Sequence, residues 1–87
     1  MIEDEVLSRK MIKDVEDSFE RHGSHWCKYR LSICAYPNEK YVTVEFRLKE
    51  YPQGYGYEIT RDFKSVAREY FSKYYPNWRA EISAFEL

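Results

Sequence analysis

The chain has 87 residues, of which 44% are hydrophobic and 33% are charged, and its formal net charge is −1. A chain of this length is expected to form one domain over residues 1–87, and such a domain buries only about 60 to 65% of the surface that its unfolded form exposes. Nine Tyr, five Phe and two Trp are more aromatic residues than so small a core hides. Some of them must therefore face water or a partner.

The sequence also indicates which classes of protein to exclude. No segment approaches the length of roughly 20 apolar residues that a membrane-spanning helix needs. Residues 1–20 mix acidic with apolar positions, unlike a signal peptide, so we expect a soluble, cytoplasmic protein. The two cysteines, Cys27 and Cys34, are too few for a disulfide framework, and strand alternation directs them to opposite faces.

Charge is unevenly distributed along the chain. Residues 1–27 hold seven acidic and four basic side chains, residues 28–80 hold six acidic and ten basic ones, and residues 81–87 add two acidic ones. Both ends are therefore acidic and the middle is basic. A surface for an anionic partner is expected in the middle of the chain.

The first predicted element is an amphipathic helix over about residues 3–22. Its apolar residues recur at every fourth position, which places them on one face of a helix. They are Leu7, Met11, Val15 and Phe19. Gly23 is expected to end the helix, because glycine readily adopts the left-handed conformation of a C-terminal stop.

A β-hairpin is predicted next, because Cys27–Tyr36 and Tyr41–Lys49 both alternate apolar and polar residues. The turn Pro37–Lys40 joins them and sets Tyr36 opposite Tyr41. A shift of one residue would place apolar against polar side chains everywhere, so the register is well determined. The predicted pairs are Ile33 with Val44 and Leu31 with Phe46 on the inner face, and Arg30 with Arg47 and Lys28 with Lys49 on the outer face.

The sequence predicts a third strand after the hairpin. Tyr51–Gly54 has the composition of a turn, and the alternation over Tyr55–Thr60 is typical of a short strand. This strand would complete an antiparallel meander and place Glu58 beside Arg47.

A second helix and a last strand end the predicted order. Helical spacing runs from Phe63 to Tyr74, with Thr60 or Asp62 available as N-cap. Pro76 is expected to end the helix, because the residue before a proline is disfavoured in the helical region. A C-terminal strand follows from the alternation of Trp78, Ala80, Ile82 and Ala84.

The predicted fold is therefore α+β, in the order α-β-β-β-α-β. An antiparallel three-stranded meander and a C-terminal strand form the sheet, and both helices pack on one of its faces. The pattern leaves the position of the C-terminal strand in the sheet open. The other face of the sheet meets solvent.

That solvent face is the strongest candidate for a binding site. Like charges placed directly opposite each other cost about 0.2 to 1 kcal/mol per pair, so the facing cations indicate a site for phosphates or for an acidic protein surface. The alternative is that Glu45, Glu50 and Glu58 neutralise them. The candidate partner-binding residues are Lys28, Arg30, Tyr36, Tyr41, Arg47 and Lys49.

A second basic set, Arg61, Lys64 and Arg68, has the spacing of one helix face. Together with the predicted α-β-β-β-α order and the glycine-bearing turn at Gly54 and Gly56, it resembles the double-stranded RNA-binding domain over about residues 3–75. The resemblance lies in topology and includes no specific motif. It implies nucleic-acid binding through the start of the second helix.

Neither a metal centre nor a catalytic centre is expected. His22, His25 and Cys27 offer three zinc-binding groups, whereas a structural zinc site takes four. The serines, histidines and carboxylates show no recognisable catalytic arrangement, and so small a chain encloses little pocket volume. We therefore expect no cofactor and no enzymatic activity.

Two functional hypotheses follow. The first is a non-catalytic protein-binding module that uses exposed tyrosines and cations, which interfaces favour. In its size, its surplus of aromatic residues and its lack of motifs the chain is similar to accessory proteins of phages and mobile elements, including anti-CRISPR proteins that inhibit a larger host protein. The second is nucleic-acid binding. A homodimer, formed through a sheet edge or through Phe85 and Leu87, is a third use for the aromatic residues.

Overall fold

The computed structural model describes residues 1–22 and 26–86. The predicted helix stop at Gly23 and the residue Leu87 lie outside this range. The described residues form two helices and three strands, in the order α-β-β-α-β. They are α1 (Glu5–His22), β1 (Lys28–Tyr36), β2 (Tyr41–Glu50), α2 (Gly56–Tyr74) and β3 (Arg79–Glu86).

The predicted hairpin is confirmed in strand direction and, from the pair Tyr29–Leu48 to the pair Tyr36–Tyr41, in register. β1 and β2 are antiparallel, with Tyr36 opposite Tyr41 and Ile33 opposite Val44. The turn between them is a short 3₁₀ segment, Pro37–Glu39, and it ends at Lys40 with a φ of 49°. The turn length and the alternation of side chains therefore agree on one register.

The predicted pairing of Lys28 with Lys49 is wrong. A register irregularity between Lys28 and Tyr29 shifts the end of β1, so that Lys28 lies opposite Glu50. Every residue at this strand end except Tyr29 and Leu48 is charged, so apolar burial does not fix the register beyond that pair. The pairing that forms brings opposite charges together instead of like ones.

The predicted third strand over Tyr55–Thr60 is also wrong, because α2 begins at Gly56. Ile59 lies four residues before Phe63, and both side chains are buried on the same side of α2. Thr60 is inside the helix, where its hydroxyl donates a hydrogen bond of 3.0 Å to the Tyr57 carbonyl. The helix therefore starts about one turn earlier than its predicted N-cap. Glu58 belongs to its first turn and does not lie beside Arg47.

The C-terminal strand is confirmed, and its place in the sheet is next to β2. The sheet has the order β1-β2-β3, and β3 runs parallel to β2. Parallel neighbours need a crossover connection, and α2 supplies it, since its 19 residues cover about 28 Å. The chain thus returns to the start of β2, where Arg79 lies beside Tyr41.

The core joins one face of the sheet to one side of each helix. β2 lies in the middle of the sheet, and its four inward side chains are at most 2% exposed. The phenyl rings of Phe46 and Phe63 stack with their centroids 4.2 Å apart, and Phe19 of α1 meets both edge-on at 5.5 Å. These three rings connect α1, the sheet and α2. Neither α1 nor α2 lies on the opposite face of the sheet.

The start of α1 is held to the edge of β1 by hydrogen bonds. The Asp4 N–H donates to the Ala35 carbonyl at 2.9 Å, and the Ala35 N–H donates to Ser8 Oγ at 2.9 Å. The Ser8 hydroxyl in turn donates to the Asp4 carbonyl at 2.9 Å. Ser8 is only 3% exposed, so its hydroxyl supplies the buried Ala35 N–H with a hydrogen-bond acceptor.

The two helices share a second polar contact. The Tyr70 hydroxyl of α2 donates to Asp14 Oδ2 of α1 at 2.8 Å, and Lys10 Nζ donates to the same oxygen at 2.8 Å. The hydrogen bond from Lys10 and that from Tyr70 hold the pKa of Asp14 below its usual value, against the opposing effect of burial. Burial, followed by the hydrogen bond to Asp14, raises the pKa of Tyr70.

These tyrosines predict a loss of stability at alkaline pH. Burial also raises the pKa of Tyr29. A group whose pKa is higher in the folded state stabilises fully below its unfolded pKa, which is about 10 for tyrosine, and that contribution is lost as the pH rises further. We expect the free energy of unfolding to fall above about pH 10, and to fall less steeply in Tyr70→Phe. Urea unfolding on both sides of that pH measures this, and equal slopes for the two proteins would contradict it.

Candidate protein-binding face

We use the name outer sheet face for the side of the sheet that points away from α1 and α2. Its side chains form four rows that cross the three strands from β1 through β2 to β3. The rows are Tyr36–Tyr41–Arg79, Cys34–Thr43–Glu81, Ser32–Glu45–Ser83 and Arg30–Arg47–Phe85. Aromatic rings and cations therefore occupy both ends of the face, with smaller or acidic side chains between them.

The first end is a stacked aromatic pair with a cation beside it. The rings of Tyr36 and Tyr41 lie almost parallel, at 18°, with centroids 5.9 Å apart. The Arg79 guanidinium carbon is 4.6 Å from the centre of the Tyr41 ring. A hydrogen bond with Glu81 raises the pKa of Tyr41. These contacts hold flat apolar surface and polar groups in one place.

At the other end, one of the two facing arginines is neutralised. Arg30 lies opposite Arg47, as the sequence predicts. Arg47 Nε donates to Glu45 Oε1 at 2.7 Å, and its guanidinium carbon is 5.5 Å from the centre of the Phe85 ring. Within residues 1–22 and 26–86, Arg30 forms no ion pair. It remains available to an acidic partner.

At the open end of the hairpin, too, one cation has an ion-pair partner and the other has none among the described residues. Lys28 Nζ is 3.6 Å from Glu50 Oε2, and the part of the chain that the structure describes gives Lys49 no ion-pair partner. Together with Arg30 and Arg47, Lys49 lines a shallow depression of about 240 Å³. The predicted neutralisation is thus confirmed for Glu45 and Glu50, whereas Glu58 belongs to α2 and not to the sheet.

Two residues of the aromatic and cationic clusters, Arg79 and Phe85, were not among the predicted partner-binding residues. Both depend on the place of β3 beside β2, which is a contact between distant parts of the chain. A local signal exists, since Arg79, Glu81, Ser83 and Phe85 alternate with the inward-facing residues of β3. Phe85 alternates with the inward-facing Ala84, and its side chain is 46% exposed on the outer sheet face.

The second predicted basic set lies on the other side of the molecule. Arg61, Lys64 and Arg68 belong to α2, which covers the inner face of the sheet, so they share no surface with Arg30 and Arg47. Arg61 lies 3.8 Å from Asp62 and 5.9 Å from the centre of the Tyr57 ring. The resemblance to the double-stranded RNA-binding domain requires a third strand before this helix, and the structure has none there.

The His22–His25–Cys27 run is only partly described, since His25 lies outside the described residues. Cys27 and Cys34 are both free thiols. Among residues 1–22 and 26–86, no three histidine, cysteine or acidic side chains are placed to hold a metal ion.

Comparison with known proteins assigns the chain to no family. Neither described helix is long and apolar enough to cross a membrane. The chain matches no protein-family model, and it has no significant match among curated proteins or solved structures.

Proposed function

We propose that the chain is a small, non-catalytic protein-binding module whose contact surface is the outer sheet face. The observation that carries this proposal is the pair of aromatic and cationic clusters at the two ends of that face, Tyr36–Tyr41–Arg79 and Arg47–Phe85. Tyrosine and arginine are the residues that the energetically dominant centres of protein interfaces favour. Neither helix covers either cluster.

The charges of the face favour a protein partner over a nucleic acid. Glu45 bonds Arg47, Glu50 approaches Lys28, and Glu81 lies 3.9 Å from Arg79. Carboxylates placed among the cations would repel a phosphate backbone, whose neutralisation depends on unopposed lysines and arginines. Arg30 and Lys49 then provide a local preference for an acidic patch on the partner.

A module of this kind acts by covering the surface that it binds. We therefore extend the proposal to inhibition of a larger protein, in the manner of the phage and mobile-element accessory proteins that the chain resembles in type. Binding and inhibition would both use the outer sheet face. Inhibition also requires that this face cover a functional site of the partner.

The tyrosine pair gives the proposal its test. We expect Tyr36→Ala combined with Tyr41→Ala to weaken binding to a captured partner at least tenfold, which is about 1.4 kcal/mol, because the change removes both flat contact surfaces. Tyr57→Ala combined with Tyr74→Ala is the matched control. Those rings are 72% and 59% exposed on the helix side, and their loss should leave affinity unchanged. Titration calorimetry or surface plasmon resonance measures both.

Nucleic-acid binding is the alternative that the same experiment separates. The capture is made from nuclease-treated lysate at low and at high salt, since binding through phosphates weakens steeply with salt. Protein capture that survives both treatments supports the proposal. Retention that disappears with nuclease or salt and is abolished by Arg30→Glu contradicts it, as does a partner that the helix-side control loses instead.

A further inference from the structure

We propose that β3 pairs with β3 of a second copy of this chain, antiparallel and centred on Ile82, so that two sheets join edge to edge. This inference rests on backbone geometry and on the sequence of β3. It does not depend on the proposed function.

The outer edge of β3 presents a row of free backbone groups. The Arg79 N–H donates to the Lys40 carbonyl at 2.8 Å, which directs residue 79 toward β2. In a parallel ladder every second residue directs both its N–H and its C=O to the same neighbour. Ala80, Ile82 and Ala84 therefore direct theirs away from β2, and no other strand among the described residues lies there. Such an edge is a template for a further strand.

The opposite edge of the sheet does not offer the same template. At Ala35 of β1 both backbone groups are already used, one by the Asp4 N–H and the other by Ser8 Oγ. A strand that ran along the whole of β1 would have to displace the start of α1. Edge pairing is thus directed to β3.

The sequence of β3 is complementary to itself in one register. With Ile82 opposite Ile82 of the second copy, Ala80 lies opposite Ala84, and all three are the residues whose backbone groups point outward. On the outer sheet face this register sets Glu81 opposite Ser83, and Arg79 opposite Phe85. Like charges do not face each other in it, whereas a register centred on Glu81 would oppose two carboxylates.

The inner side of the edge has apolar surface that such a partner would cover. A groove of about 440 Å³ between α2 and β3 is lined by apolar side chains, among them Trp78, Ala80 and Ile82, and also by the polar side chains of Arg68 and Ser72. Trp78, Ala80 and Ile82 are only half-buried. In the proposed pairing, Ile82 of the second copy lies against Ile82 at the mouth of this groove, and removes apolar area of both copies from water.

The pairing also joins the two ends of the outer sheet face. The row Arg30–Arg47–Phe85 of one copy continues into Arg79, Tyr41 and Tyr36 of the other. Phe85, which already has the Arg47 guanidinium at 5.5 Å from its ring centre, receives a second cation from the facing Arg79. Charge and aromatic character are therefore continuous across the proposed contact.

The oligomeric state tests this proposal. Light scattering coupled to size exclusion is expected to give twice the 10.6 kDa of one chain at high concentration, and a smaller mass on dilution. Ala84→Pro removes an N–H that points to the open edge and not to β2, so it should weaken association at least tenfold while circular dichroism stays unchanged. Ser83→Ala, on the outer face of the same strand, is the control and should associate as the parent does.

A cross-link tests the register independently of any loss of association. In a background of Cys27→Ala and Cys34→Ser, Ile82→Cys places two thiols about 5.5 Å apart at Cα across the proposed two-fold axis, which is within disulfide range. Ala80→Cys places them several residues apart. Oxidation is expected to link the Ile82→Cys chains and not the Ala80→Cys chains. A monomer at every concentration, an Ala84→Pro protein that associates as the parent does, or a link formed equally by both cysteine variants would overturn the proposal.

Discussion

Phe63→Ala is expected to destabilise the chain strongly and to lower the urea concentration at which it unfolds. The Phe63 side chain is completely buried and stacks on Phe46 at 4.2 Å, so its removal leaves a cavity at the centre of the core. Phenylalanine-to-alanine changes of this kind cost about 3 to 5 kcal/mol. A chain of 87 residues has a total stability of about 4 to 13 kcal/mol, so the loss is between about a quarter of that stability and all of it.

Urea unfolding followed by circular dichroism measures this effect, and two further variants show its cause. Tyr57→Ala removes a ring from the same helix at a position that is 72% exposed, and should change stability by no more than about 0.5 kcal/mol. Phe63→Leu retains most of the apolar volume and should lose less than half of what Phe63→Ala loses. If Phe63→Ala were as stable as Tyr57→Ala, the described packing of α2 would be wrong.

Ser8→Ala is expected to cost about 1 to 3 kcal/mol, although it removes a single oxygen atom. The Ser8 hydroxyl accepts the Ala35 N–H at 2.9 Å and donates to the Asp4 carbonyl at 2.9 Å. Its removal leaves the Ala35 N–H buried without a partner, and desolvation of that group accounts for most of the cost.

Ser18→Ala is the matched control on the same helix. The Ser18 hydroxyl accepts an exposed hydrogen bond from Arg21 at 3.3 Å and has no other partner among the described residues, so its loss should cost at most about 0.5 kcal/mol. Ser8→Thr retains the hydroxyl, and should recover part of the stability if the added methyl group finds room. Equal stabilities for Ser8→Ala and Ser18→Ala would show that the hydrogen bond between α1 and the edge of β1 has no energetic role.

The hairpin was predictable because two independent signals agree. The alternation of buried residues such as Ile33 and Val44 specifies which face is inside, and the turn at Pro37 specifies which residues are opposite. Where the strands end, Lys28, Lys49 and Glu50 are all polar, so apolar burial no longer fixes the register. The irregularity at Lys28 forms at this point.

The wrong prediction of a strand at the start of α2 has a different cause. Over Tyr55–Thr60 the apolar residues alternate, which favours a strand, yet Ile59 is also four residues before Phe63, which favours a helix. So short a segment satisfies both patterns. The parallel placement of β3 decides between them, because a crossover helix must span the sheet, and this is a non-local requirement.

The candidate site was predictable to the same extent. Arg30, Arg47, Tyr36 and Tyr41 share the outer sheet face as their strand parity indicates. Arg79 and Phe85 join them only because β3 lies beside β2, a contact between segments that are far apart in the chain. The cluster of aromatic rings and cations at each end of the face is therefore a product of the fold.

Hydroxyl-radical footprinting of the chain, alone and with its captured partner, tests the central claim most directly, because it reads the contact surface without any mutation. Oxidation of Tyr36 and Tyr41 is predicted to fall in the complex, while that of the exposed rings of Tyr57 and Tyr74 on the helix side stays unchanged. Protection of Tyr57 and Tyr74 with Tyr36 and Tyr41 still fully reactive would show that the partner binds the helix side, and would contradict the assignment of the outer sheet face.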